Sequence, residues 1–272
     1  MNRVAHGPDA LPRLRQHESI RGGLRRVLLG CLEHALCAMS GGNGTAAGRI
    51  HEARISLKRA RAVLRLGDDC GLAWTSLARL RLARLAGELA AVRDAAVVAE
   101  TARKLGMGVG VAEAGANPSW TAWISRLGAE RRRLAHCEWP VIWRRDCIAA
   151  LARSLWRLQK RERAAQRGAK TRQLHAWRKA VIVLREQLNV LRPLLTPPQQ
   201  NCAGRLHRVA RKLGAVQDLT LLIARERRGA PSFARELLLM RARYDRRQTV
   251  RRAYRLAKGL TKRLHREFSR QG

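Results

Sequence analysis

Five residues of one short stretch, His51, Arg54, Lys58, Arg61 and Arg65, follow one another at spacings of three and four, and each carries or can carry positive charge. At about 100° per residue on an α-helix they occupy a band roughly 80° wide. Ala53, Leu57, Ala60 and Leu64 fall on the opposite side, so the helix has an apolar face and a cationic edge. The band contains no acid, whereas an ordinary solvated helix row mixes signs for solubility and i, i+4 pairing. Such a row offers repeated charge-assisted hydrogen bonds to an anion with many oxygens.

The row has a second copy. His175, Arg178 and Arg185 stand where His51, Arg54 and Arg61 stand, at one offset (175 − 51 = 124), with Leu174, Trp177, Val181, Leu184 and Leu188 opposite. The same offset carries Arg81 to Arg205, Arg84 to Arg208, Leu89 to Leu213, Val92 to Val216 and Asp94 to Asp218. One offset held without a gap over such a stretch marks an internal duplication. Ile182 and Asn189 replace Lys58 and Arg65, which makes the second row the weaker one. Arg81 and Arg84, with Arg205, Arg208 and Lys212, add cations on the next helix of each copy. Further rows are available at Arg153, Arg157 and Lys160, and at Arg247, Arg251 and Arg255. Asp94 and Asp218, acids in basic surroundings, are expected to orient an arginine of the row or to bridge helices.

The elements that position these side chains are helices. Apolar residues recur at three and four almost throughout, and no alternating Val, Ile and Thr run is long enough for a sheet. Gly and Pro punctuate the pattern. Helices are expected near 11–39, 46–66, 72–105, 119–136, 138–166, 170–192, 199–227 and 232–268, with Pro140 either opening a new helix or kinking a long one. The expected architecture is all-α, a single domain over 1–272 built from two repeats, about 11–136 and about 138–270, each a four-helix unit. The units would pack with pseudo-twofold symmetry, and copies that face each other would line one basic groove or tunnel with their rows.

Composition narrows the function. The 272 residues include 56 Lys and Arg against 20 Asp and Glu, a net charge of +36. That imbalance costs stability through self-repulsion and calls for a polyanion: nucleic acid, an anionic membrane or a phosphate polymer. Hydrophobic residues at 46% argue for a packed core. No run approaches the roughly 18 uncharged apolar residues of a membrane span, and the first residues lack the apolar centre of a signal peptide, so a cytoplasmic location is expected. The six cysteines form no CxxC pair, and Cys31, His34 and Cys37 drift off one helix face, which favours core packing over metal binding. The run GGNGTAAG at 41–48 lacks the ending of a phosphate loop and reads as a connector. HExxH, paired carboxylates and a nucleophile elbow are all missing, so no metal, cofactor or catalytic residue is expected.

The HxxR…KRxR row (His51, Arg54, Lys58, Arg59, Arg61), the later LxxVRD (Leu89 to Asp94) and their second copies at His175 to Arg185 and Leu213 to Asp218 resemble the CHAD domain, the conserved histidine α-helical domain, over nearly the whole chain. The resemblance implies two four-helix bundles around a basic central cavity, binding of inorganic polyphosphate and, in several members, targeting to polyphosphate granules. The ExExK strand motif of the triphosphate-tunnel catalytic domain that some relatives carry is not seen, so a stand-alone, non-enzymatic binding module is expected. The residues assigned to polyphosphate are His51, Arg54, Lys58, Arg59, Arg61, Arg65, Arg81, Arg84, His175, Arg178, Lys179, Arg185, Arg205, Arg208 and Lys212. The two histidines would either donate to phosphate or hold a structural hydrogen bond.

Two rival readings remain at this level. A nucleic-acid-binding protein fits the charge equally well, but aromatics are only 4% and Trp177 lies on an apolar face, which leaves base stacking without a platform; nucleic acid is expected as a nonspecific competitor. An enzyme of phosphate metabolism would use His51 or His175, yet phosphoanhydride hydrolysis generally needs a metal held by carboxylates.

Overall fold

The computed structural model describes residues 11–41, 45–106, 120–229 and 232–269. Within these the chain is all-α, with helices α1 (Ile20–Ser40), α2 (Ala46–Asp69), α3 (Trp74–Lys104), α4 (Trp120–Ala135), α5 (Arg144–Gly168), α6 (Thr171–Val190), α7 (Pro197–Glu226), α8 (Phe233–Ala257) and α9 (Leu260–Ser269). Residues 107–119 and residues 42–44 of the expected connector at 41–48 lie outside the described residues, and residues 46–48 of that connector already belong to α2.

Local chemistry sets the boundaries. Ser19 caps α1 by accepting from the Gly22 N–H, and Thr45 caps α2 in the same way through Gly48. The first helix therefore begins at Ile20, later than expected, because residues 11–19 are spent otherwise: Leu11 and Leu14 are buried and the Leu14 N–H donates to the Val190 carbonyl at 3.0 Å. Pro140 neither opens nor kinks a helix. It lies in the extended link before α5, whose start is fixed by Asp146 accepting from the Trp143 N–H at 2.8 Å. Pro197 and Pro198 occupy the first turn of α7, where a missing N–H costs nothing. The single helix expected over 232–268 is two, because Gly259 adopts φ +76°, a left-handed conformation that ends α8.

The two copies are α1–α4 and α5–α9. In the first, α1, α2 and α3 pack in sequence and α4 returns against α1; in the second, α5, α6, α7 and α8 pack in sequence and α9 returns against α5 and α7. The halves meet through matched helices, α2 on α6 and α3 on α7. Contacts across α2 and α6 join residues 127 apart (Arg59 with Glu186) and 125 apart (Ala62 with Gln187). Both are close to the repeat offset, so the pseudo-twofold axis runs by this crossing. One continuous apolar core includes Leu28, Leu57, Leu64, Leu82, Leu127, Leu151, Leu184 and Leu206, and thus spans both copies. Trp177 is buried in it, stacked on Tyr254 with ring centroids 5.2 Å apart. A smaller cluster of Val98, Ala102, Leu219, Leu222, Ile223, Leu238 and Ala242 holds together the ends of α3, α7 and α8.

Candidate anion-binding cleft

The helix pairs at the axis leave a cleft of about 360 Å³ between them. Lys58 reaches it from α2, Arg93 from α3, Arg178 and Arg185 from α6, and His207 and Arg211 from α7; Ile182, Ala210, Gly214 and Ala215 form its floor and Asp218 is the one acid among its lining residues. Side chains from both copies thus point at one volume. The small residues of α7 let the long cations of α6 lie close: the Arg178 guanidinium stands 3.8 Å from where a Cβ on Gly214 would be.

The electrostatics follow from this crowding. Burial, then the charges of Arg178, Arg54, Arg93 and Arg185, pushes the Lys58 ammonium down to about 7. Burial and neighbouring cations also lower Arg54 and Arg61, and burial lowers Arg178, but a guanidinium remains protonated at physiological pH. His51 is lowered by burial and by Lys58, and His175 by burial and by Lys179, so both favour the neutral ring until an anion approaches. The Nε atoms of Arg61 and Arg178 are buried and have no hydrogen-bond partner among the described residues. They are unspent donors, that of Arg178 at the cleft and that of Arg61 farther along the row.

Arg93 supplies the local counter-charge arrangement. It lies 3.6 Å from Asp94 and 3.6 Å from Asp218, and so ties α3 to α7. Of the two aspartates expected to orient an arginine of the row or to bridge helices, Asp218 bridges α7 to α3 through Arg93, whereas Asp94 pairs with Arg93 on its own helix. Burial raises the Asp218 carboxyl against the pull of Arg93 and Arg178.

The assigned residues divide into groups. Lys58, Arg178 and Arg185 line the cleft. Arg54, which donates to the Ala86 carbonyl at 2.9 Å, and His51 stand beside it, both coupled to Arg93. Arg61 and Arg65 continue the row away from it, toward Arg79 and Arg157. Arg65 and Arg157 share the Asp69 carboxylate there, and Arg153 donates to the Asp69 carbonyl. His175 sits one turn further along α6, its Nδ1 3.3 Å from Gln217 Oε1, and Lys179 is exposed on its flank.

Other assigned residues are not brought to the cleft. Arg59 is 6% exposed and is committed to Glu186 at 2.8 Å and to the Leu11 carbonyl at 2.9 Å; it joins the two copies from inside. Its position, about 80° from His51 on the helix and outside the cationic band, is the reason. Arg81 turns toward α4 and pairs with Glu130 at 2.9 Å, and Arg84, on the same side of α3, is exposed. On α7, Arg205, Arg208 and Lys212 lie roughly 100–160° around the helix from His207, on a different face from the cleft. The residues that reasoning from the repeat missed are Arg93, His207 and Arg211.

Cys31 is buried, and its thiol is pushed up to about 12 by burial, which fits core packing; Cys37 is exposed. Among the described residues, no three His, Cys, Asp or Glu side chains gather in a way that would hold a metal ion. No described helix is long and apolar enough to cross a membrane. Trp156 is exposed on α5 with the Lys160 ammonium 5.2 Å from its ring centre, but it does not line the cleft.

A family model described as the CHAD domain matches residues 26–139 and again residues 111–227. The crystal structure of the CHAD domain from the plant Ricinus communis superposes with a TM-score of 0.67, covering 92% of this chain and 94% of that one at 19% identity, a likeness of fold. Among curated proteins, none matches the sequence.

Proposed function

The chain belongs to the CHAD domain family, and on that premise we propose that its central cleft binds inorganic polyphosphate. The observation that carries this reading is the convergence of Lys58, Arg93, Arg178, Arg185, His207 and Arg211 from four helices and both copies on one cleft with a single acid. A pocket of cations held together against their own repulsion is unfavourable until an anion fills it. Polyphosphate supplies a charge at every unit and no bulk beyond its oxygens. Each well-formed charge-assisted hydrogen bond contributes roughly 1.5–3 kcal/mol, and successive units of one chain add avidity along the row toward Arg61 and Arg65.

The protein acts as a binding module and not as a hydrolase. The carboxylate at the cleft, Asp218, shares the Arg93 guanidinium with Asp94, and a cation already occupies the space between these two acids where a catalytic metal would sit. A cytoplasmic location on polyphosphate granules is consistent with such a module. Nucleic acid competes chiefly through charge, because the cleft is floored by Ile, Ala and Gly and no Phe, Tyr or Trp lines it as a stacking platform for a base.

The deciding measurement is a titration with polyphosphate, duplex DNA, RNA and heparin at matched phosphate or sulfate concentration and several salt concentrations. Polyphosphate is expected to bind most tightly and to keep its advantage as salt rises. Displacement of polyphosphate by equal amounts of duplex DNA or RNA overturns the reading. Phosphate release from long-chain polyphosphate with Mg²⁺ or Mn²⁺ would overturn the non-enzymatic part alone.

A further inference from the structure

A second basic cleft lies on the far side of α7. It has a volume of about 680 Å³, within the range of small-molecule pockets. Arg227 of α7, Arg243, Arg246 and Arg247 of α8, and Thr171 at the start of α6 line it together with Thr220, over Ile223 and Ala224. Thr220, Ile223, Ala224 and Arg227 point roughly opposite on α7 to His207, Arg211, Gly214 and Asp218, so the two clefts are separated by the body of that helix.

The arrangement is built rather than incidental. Arg246 is held by two hydroxyl oxygens, donating to Thr220 at 3.0 Å and to Thr171 at 3.4 Å. Thr220 spends its own proton on the Val216 carbonyl at 2.7 Å. Thr171 accepts from Arg246, which leaves its hydroxyl proton to be donated into the cleft. No acid lines the space, and Arg227, Arg243 and Arg247 have no carboxylate partner among the described residues. Thr171 is also the first residue of a 20-residue helix, whose positive end adds to the attraction for an anion.

We propose that this cleft is a separate seat for a compact, multiply charged free oligophosphate. Three guanidiniums without a carboxylate partner around one held by two hydroxyls suit an anion with several oxygens close together, and the cleft has no aromatic side chain to recognise a nucleoside. The seat rests on its own residues and stands whether or not the central cleft takes long polyphosphate.

Inorganic triphosphate is the probe, with calorimetric titration at about physiological ionic strength, where weak surface attraction is screened. The wild-type protein is expected to bind triphosphate here in addition to any binding at the central cleft. Arg243→Ala with Arg247→Ala is expected to remove this binding event by at least tenfold in affinity; both residues are exposed, so folding is preserved. Arg252→Ala with Arg255→Ala, further along the same helix, is the charge-matched control. Lys58→Ala with Arg178→Ala removes the central cleft and is expected to leave the second seat intact. Equal loss from the Arg243/Arg247 pair and the control pair, or no loss from the Arg243/Arg247 pair, overturns the proposal. So does tighter binding of ATP than of triphosphate at this seat.

Discussion

The Arg93 guanidinium stands 3.6 Å from Asp218, a residue of the other copy, and 3.6 Å from Asp94, the repeat counterpart of that same aspartate. One cation therefore serves two related acids, and the position equivalent to Arg93 in the second copy is Gln217. Asp218→Asn removes the acid from a cleft otherwise lined by cations. Burial outweighs Arg93 and Arg178 at this carboxyl, so loss of its charge should leave the ligand-free protein no less stable at neutral pH, while polyphosphate binds a few-fold more tightly. A melting curve and a titration on one preparation check both. Lower stability or unchanged affinity contradicts the assigned role.

The faces of the helices make a second prediction. Arg178→Ala with Arg185→Ala removes two cleft cations and should weaken polyphosphate binding by more than a hundredfold, taking roughly 1.5–3 kcal/mol for each bond lost. Arg205→Ala with Arg208→Ala removes the same charge from the other side of α7 and should cost less than tenfold. Equal losses would mean that net charge alone governs binding.

Lys58 predicts proton uptake. Its ammonium is held down to about 7 by burial and four arginines, against about 10.4 in an unfolded chain. Between these values the unfolded chain binds the extra proton, so this residue makes stability rise with pH across that window. An anion in the cleft reverses the repulsion and restores the proton. Binding at pH 8 should therefore take up a proton, seen as a binding enthalpy that depends on the ionisation heat of the buffer, and affinity should fall as pH rises above about 7. Lys58→Met should weaken the buffer dependence, leaving only what the histidines contribute.

The Arg59–Glu186 pair is a stability device. Burial pushes the Glu186 carboxyl up, but Arg185 and Arg59 outweigh it and hold it below its usual range. A depressed acid stabilises the fold fully above its unfolded pKa, about 4.3, and loses that contribution as pH falls through the folded value. Glu186→Gln should cost about 3 kcal/mol at pH 7, the range for a broken buried pair. Denaturant melts at pH 7 and pH 3 should bring the variant closer to the wild type at the lower pH. Affinity for polyphosphate should rise, because Glu186 also holds the Arg185 guanidinium, which lines the cleft and is released when the carboxylate is lost.

Which of these residues could be read from the sequence depended on what kind of signal each one leaves. The row from His51 to Arg65 was legible because helical periodicity ties residue spacing directly to direction, and the duplication was legible because one offset carries matching residues from His51 to Asp94 without a gap. The same offset misdirected the reading of α7. It matched Arg208 to Arg84, both outside the cleft, whereas His207 and Arg211 answer Ala83 and Gly87 and leave no trace in a comparison of copies. The phase of α7 relative to Asp218 held the missing signal, since His207, Arg211, Gly214 and Asp218 fall within a band roughly 60° wide. Arg59 was chosen because it sits inside the motif, although its angle on α2 points to the interface. Gly259, the one residue between α8 and α9 with a left-handed backbone, was the only mark of that break in a run of otherwise amphipathic sequence.

The halves of the fold are related by a twofold, but the charges at the axis are not: Lys58 faces Ile182 and Arg93 answers Gln217. A polymer that reads the same from either end meets such a lopsided cradle in one way only, because turning it around reproduces the same complex. A strand with a head and a tail would meet it in two, with different contacts in each. The broken symmetry would therefore give a strand with direction two unequal poses in the proposed cleft, and a headless chain only one.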